Sequence, residues 1–260
     1  NNSSVGYNSL GGNTTGYENV AIGAGVMLAN TEGFRSVAIG AYALDANTTG
    51  DNHTAIGWQA LSSNTTADNN TAIGYNALLT NTTGTANTAV GYGTLQASTT
   101  ATNNVAVGHS AGLTNTTGAS NVAVGHNAFY YNTTGANNVA IGQGALHRNT
   151  TATMNTCVGM TAGQFITTAE NNTIVGTFAG DAISTGGGNT CLGGGAGGAV
   201  TTGTNSIFIG VNAGSNITTG GSALIIGYGA QASAADLGGH EVVIGPGTGK
   251  GVNTAIVVAG

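Results

Sequence analysis

Residues 70–95 read NTAIGYNALLTNTTGTANTAVGYGTL, a phrase of Asn, Thr, Ala and Gly said almost twice. The glycine that closes TAIG is Gly74, and steps of 17 residues from it land on Gly6, Gly23, Gly40, Gly57, Gly91 and onward to Gly227 with no insertion or deletion. The final step, to Gly245, is longer by one residue. Globular domains tolerate drift in loop length. A chain that never drifts is stacking each repeat on its neighbour, where one extra residue would displace every contact above it. The chain therefore reads as one repeat array with irregular ends, and length is no reason to divide it.

Within a repeat, the three residues before the closing glycine are apolar or Thr, as in Val20-Ala21-Ile22, Thr71-Ala72-Ile73 and Val139-Ala140-Ile141. Short β-branched runs bounded by Asn and Gly read as strands. A second apolar step, such as Ala43-Leu44 or Ala77-Leu78, follows three and four places after the glycine, and then comes the turn NTTG. Seventeen residues are too few for a strand, a helix and two turns, but suffice for two short strands and two turns. The fold class is all-β, a parallel β-solenoid or β-roll of about fifteen coils, each about 4.8 Å above the last. The closing glycine and the glycine of NTTG are expected to supply positive φ or room for close backbone approach. The Asn before each strand, Asn70, Asn87, Asn104, Asn121 and Asn138 among them, is expected to tolerate the left-handed region and to bond along the stack as an amide ladder. Asn13, Asn30, Asn47, Asn64 and Asn81 begin a second such column, with Thr stacking beside it. These ladders satisfy turns without charge, and like charges stacked at this spacing would repel.

Composition agrees. Of 260 residues, 47 are Gly, 1 is Pro and 5% are charged. Without a three-residue period collagen is excluded, and the recurring β-branched residues argue against disorder. With 3 Lys+Arg in a net charge of −6 there is no basic patch for nucleic acid. No apolar run is long enough to insert in a membrane, and the first residues do not resemble a signal peptide, so the chain reads as a mature or excised fragment or as part of something needing no export signal.

Side chains alternate across a strand, and here both faces are apolar. The middle position reads Ala72, Ala89, Ala106, Ala123 and Ala140 in successive repeats from 71 to 141. A strand apolar on both faces is buried on both. A thin coil cannot cover its own outside, so these alanines are expected to pack against other copies of the chain in a closed, parallel assembly.

The NSVAIG-like strand followed by a second short apolar step resembles the head repeats of YadA-like trimeric autotransporter adhesins. The NTAIGYNAL and NTTG phrases are similar to repeats of bacteriophage tail fibres and bacterial surface proteins. The resemblance spans nearly the whole chain, although the adhesin-head repeat is shorter and the excess lies in the NTTG turn. It implies a left-handed roll, a parallel homotrimer and an extracellular role in adhesion, on a bacterial surface or a virion fibre.

From about Gly159 the repeat changes. Leu four places after the glycine becomes Gly163, Gly180, Gly197 and Gly214, while the Asn seven places after it becomes Ile166, Ile183, Val200 and Ile217. This divides the chain into an array with NTTG turns (1–158), the same array with altered packing (159–230), and a terminal cap or attachment segment (231–260) that carries Asp236, His240, Glu241 and Lys250.

Ligand candidates follow the column just after the glycine: Trp58, Tyr75, Tyr92, His109 and His126, with Tyr130 and Tyr131 in a later position. Stacked rings flanked by Gln59 and Asn76 suggest a sugar platform, against ring stacking that merely stabilises the coil. His109 and His126 lack carboxylate support for a metal, and no cofactor is implied. GPGTGKG at 245–251 fails the phosphate-loop spacing. Cys157 and Cys191 are two coils apart, about 10 Å, beyond disulfide reach. Asp51 and Asp68 share a column, but a regular coil has no cleft for paired-carboxylate catalysis, so the chain is not expected to be an enzyme. Glu18 and Arg35 make a surface pair of little worth. The expected function is a structural and adhesive rod whose partners are its own copies and a host-cell surface or glycan. The alternative is an ice-binding solenoid using paired threonines such as Thr48-Thr49 and Thr65-Thr66. That reading is weakened because adjacent residues in a turn do not share one flat face.

Overall fold

The computed structural model describes residues 1–233, 235 and 240–247. The chain forms two compact units, Asn1–Thr134 and Gly135–Gly260. The first carries β1 (Ser3–Val5), β2 (Val20–Ile22), β3 (Val37–Ile39), β4 (Thr54–Ile56), β5 (Thr71–Ile73), β6 (Thr88–Val90), β7 (Val105–Val107) and β8 (Val122–Val124). The second carries β9 (Val139–Ile141), β10 (Thr156–Val158), β11 (Thr173–Val175), β12 (Thr190–Leu192), β13 (Ile207–Ile209), β14 (Leu224–Ile226) and β15 (Val242–Ile244). Within each unit consecutive strands pair in parallel with like residues opposed, for example Thr71 with Thr88, Ala72 with Ala89 and Ile73 with Val90. The lengthened last repeat pairs Leu224 with Val242, so its extra residue is absorbed outside the strand. The protein is a parallel β-solenoid with one three-residue strand per coil and, among the described residues, no helix.

The period is held by the closing glycine. At Gly74 φ is +137°, and a Cβ there would overlap the carbonyl oxygen of Gly91 one coil on. The glycine of NTTG does not adopt positive φ. Gly84 is required for close approach alone, with Asn81 Oδ1 2.5 Å from where its Cβ would sit.

The second strand is absent. Ala77 and Leu78 are both fully buried, which adjacent residues of a strand with only one face on the core could not be. A left-handed residue at Asn76 (φ 56°) and another at Leu78 (φ 51°) turn the chain so that both side chains enter the core. The same pair of left-handed positions recurs at Gln59 and Leu61, and at Asn127 and Phe129. The Asn before each strand is not left-handed either. The residue ahead of it is, as at Asn69 (φ 61°), Ala86 (φ 56°) and Asn103 (φ 59°).

The two strand faces are the reverse of the expectation. Ala72, Ala89, Ala106, Ala123 and Ala140 are at most 2% exposed within the single chain, so they pack inside the coil and not against other chains. One coil must hold this residue, the apolar pair after the glycine and two asparagine side chains. Only a small residue fits in the first unit, and the bulkier β-branched pair is left outside. Ile22, Val105, Val107 and Ile141 accordingly face solvent.

The change of packing inside the second unit follows the sequence. Ile166, Ile183, Val200 and Ile217 are fully buried, as are Ile174, Phe208 and Ile225 in the strand column. Phe208 fills the room left by glycine: a Cβ on Gly197 would lie 2.9 Å from its Cδ2. Cys157 and Cys191 are free and buried in the same column, and desolvation pushes the Cys191 thiol up to about 12.

Candidate functional site

Parallel stacking puts one side chain of each coil directly over the next, so the position after the closing glycine builds a column of rings. Trp58 and Tyr75 stack at 4.8 Å between centroids, 16° from parallel. Tyr75 and Tyr92 stack at 5.1 Å and 4°, and Tyr92 and His109 at 5.0 Å and 11°. His109 and His126 close the column at 5.2 Å with a 31° tilt. His109 Nδ1 lies 3.0 Å from Ser110 Oγ. A sugar that stacks needs a free ring face. The inner rings have none, because each face is covered by the ring above or below. What solvent meets is ring edge. Along its inner rings the column thus has the geometry of a ladder that holds the coils together, and only the outer faces of Trp58 and His126, whose column neighbours are Ala41 and Gln143, meet no ring. Tyr130 and Tyr131 lie five and six positions after Gly125, off this column, and meet each other edge to face at 4.7 Å. No cluster of three or more metal-ligating side chains occurs among the described residues.

The amide ladders form. Asn87 Nδ2 donates to Asn70 Oδ1 at 3.2 Å, and Asn104 Nδ2 to Asn87 Oδ1 at 3.1 Å. The same oxygens accept the backbone N–H of Asn87, at 2.9 Å, and of Asn104, at 3.0 Å. Asn121 gives its N–H to Asn104 Oδ1, and in the second unit Asn138 Oδ1 serves Asn155 in both ways. In the other column Asn47, Asn64 and Asn81 each donate to the asparagine one coil back. His53 stands in the strand-preceding column where its neighbours carry asparagine or serine. It is buried, its Nδ1 accepts from the Asn70 N–H at 3.3 Å, and desolvation lowers its pKa.

The remaining polar candidates are tied into the backbone. Asp51 Oδ1 accepts the Phe34 N–H and Asp68 Oδ1 the Asp51 N–H, each at 2.9 Å. Arg35 Nε meets Glu18 at 3.1 Å on the surface. Paired threonines do not form a double row. The Thr48 hydroxyl donates to Thr65 O at 2.9 Å, leaving only Thr49 of the pair exposed. Glu241 is buried and accepts the Ser233 N–H at 2.9 Å, whereas Asp236, Lys250 and most of the GPGTGKG stretch lie outside the described residues.

Two features escaped sequence reasoning. One is the outward β-branched face, which was legible as a pair of large residues flanking a small one. The other is a notch beside Phe165, legible as a column whose side chains shrink from one repeat to the next. No helix among the described residues is long and apolar enough to cross a membrane. The architecture defines a repeat protein of the parallel β-solenoid class. The chain matches no protein-family profile, no curated protein and no solved structure.

Proposed function

We propose that this chain is a non-enzymatic structural and adhesive segment of an extracellular fibre, on a bacterial surface or a virion, assembled as a parallel homotrimer. The observation that carries the reading is the outward face of the sheet. Both outward positions are apolar in β2, β3, β7, β8, β9, β13, β14 and β15, and Thr or Ser takes the first of them in the other strands; among these residues Ile22 is 41%, Val105 40% and Ile207 40% exposed in the single chain. Large apolar residues recurring on one exposed face mark an interaction site. A repeating surface is matched along its whole length by another copy of the same repeat, in register. Further support comes from the carboxylates Asp51 and Asp68, which are engaged with backbone amides one coil back. The adhesive role and the cell-surface glycan partner rest on the resemblance of the strand phrase to adhesin and tail-fibre repeats.

The test is the mass in solution by light scattering. Three chains per particle are expected, dissociating when the outward strand positions are charged. A stable monomer at high protein concentration overturns the assembly and with it the fibre reading.

A further inference from the structure

In the second unit the fifth and sixth residues after each closing glycine read His147-Arg148, Gln164-Phe165, Asp181-Ala182 and Gly198-Ala199. These columns face outward, and their side chains shrink along the stack. The step from Phe165 down to Ala182 and Gly198 opens a notch of about 500 Å³, within the ~300–1,000 Å³ range of small-molecule clefts.

Unlike the inner rings of the ring column, its aromatic residue keeps a free face. The Arg148 guanidinium lies over one face of Phe165, 4.8 Å from the ring centroid. The next residue in the column on the other side is Ala182, too small to cover the second face. Phe165 is 39% exposed. Asp181 forms one flank. Gly198 lies beside it, and a Cβ there would sit 3.4 Å from Asp181 Oδ1 and take up part of the floor. Burial pushes the Asp181 carboxyl above its ordinary value, partly offset by hydrogen bonds from its own and the Ala182 backbone N–H. Thr167, Ser184 and Thr201 form the other flank. Their hydroxyl hydrogens are spent along the stack, on Ser184 O at 3.2 Å, Thr201 O at 3.1 Å and Thr218 O at 3.0 Å. What they offer a ligand is lone pairs.

The notch therefore pairs an apolar platform with two flanks of acceptors, one of them a carboxylate. Its occupant must carry an apolar face and hydroxyl donors around the rim. Arg148 is the one cationic donor among the lining residues, and an anion drawn to it meets the Asp181 carboxylate and a rail of acceptors, while an apolar molecule leaves the flanks unpaired. We propose that this notch binds a neutral pyranose, its C–H face on Phe165 and its hydroxyls donating to Asp181 and to the Thr167–Ser184–Thr201 rail. The site gives the adhesive part of the proposed function a location, and rests on that reading for its biological setting.

Saturation-transfer NMR on the intact chain tests it with four probes: the methyl glycosides of glucose, galactose, mannose and N-acetylglucosamine. At least one is expected to receive saturation at millimolar concentration. Phe165→Ala abolishes the signal. Ala182→Phe, which extends the ring stack onto the free face, abolishes it with melting unchanged or raised, so loss cannot be ascribed to misfolding. Asp181→Asn weakens binding about tenfold, the scale of one charge-assisted hydrogen bond. The proposal is overturned if none of the four binds, if binding survives Ala182→Phe, or if tetramethylammonium gives the Ala182→Phe-sensitive signal in place of the glycosides. A monomer that binds glycoside here removes the assembly and keeps the site, and a trimer that binds none does the reverse.

Discussion

Replacing Ser98 by asparagine is expected to make the protein more stable. Ser98 occupies the column in which Asn30, Asn47, Asn64 and Asn81 each donate to the asparagine one coil back. It interrupts that ladder. Asn81 Oδ1 is buried without a donor, and Ser98 Oγ is buried without a partner. An asparagine in the rotamer of its column neighbours would donate to Asn81 Oδ1 and to Ala101 O, as Asn81 does to Asn64 Oδ1 and Gly84 O. It would also accept from Asn115 Nδ2, which now donates to Gly118 O at 2.9 Å. Three buried hydrogen bonds at a net of about 0.5–1.5 kcal/mol each oppose roughly 1 kcal/mol of side-chain ordering. The gain is thus about 2 kcal/mol, a rise of roughly 1 M in the urea midpoint at ordinary slopes. Ser98→Ala, which deletes the unpaired hydroxyl and adds no bond, should leave the midpoint nearly unchanged. If Ser98→Asn leaves the midpoint where it is, or lowers it at constant slope, the ladder is a bystander of the fold rather than a source of its stability.

The other expectations concern single positions. His53 is buried with a lowered pKa, so as pH falls through the ordinary imidazole value of about 6.5 protons bind the unfolded chain first. Stability is full above that value and declines below it. His53→Asn, the residue its column carries at Asn19 and Asn70, should remove that decline, and subtracting the two melting curves separates it from Asp45 and Asp181, whose raised values act in the opposite sense at lower pH. Ile73→Lys on the outward face should dissociate the proposed assembly in light scattering while changing the single chain's urea stability by less than about 1 kcal/mol. Ala72→Leu beside it should cost about 3 kcal/mol by overpacking the coil, and equal effects from the two would mean the faces are assigned wrongly. Gly74→Ala forces a Cβ into the Gly91 carbonyl at positive φ, and should cost at least about 3 kcal/mol in the same measurement.

The period, the strand and both asparagine ladders were legible in residues 70–95 because a stack turns each sequence column into a spatial one. The free thiols followed from the same arithmetic. Three things were not legible. The second strand dissolved because Leu78 adopts a left-handed conformation (φ 51°), which branched or bulky residues rarely take, and nothing in an Ala-Leu dipeptide announces it. The inward face was misjudged because size, not hydrophobicity, decides which side of a narrow coil a residue occupies: Ala72 goes in and Ile73 stays out. The ring column was legible as a column, but whether its faces are free depends on ring tilt, and tilts as small as 4° between Tyr75 and Tyr92 cover them.

The left-handed leucine also explains why one fold carries two kinds of interior. Holding a side chain in that conformation costs about 1–2 kcal/mol, and burying a leucine returns about 1.5–3 kcal/mol, so Leu78 is favourable by a narrow margin. Gly163 avoids the strain but forfeits the volume, and Ile166 in the same coil restores it at the cost of a ladder hydrogen bond worth about 0.5–1.5 kcal/mol. The two solutions are nearly equal in free energy, and the changes must come together. Glycine alone leaves a void, and isoleucine beside leucine overfills the coil. The coil that pairs glycine with asparagine, Gly112 with Asn115, tests this logic. It escapes the void because Leu95 of the preceding coil leans in, its Cδ2 2.8 Å from where a Cβ on Gly112 would stand. Core volume at this position is therefore shared between neighbouring coils as well as within one, so the interior varies while the outward positions from β2 onward stay apolar or Thr.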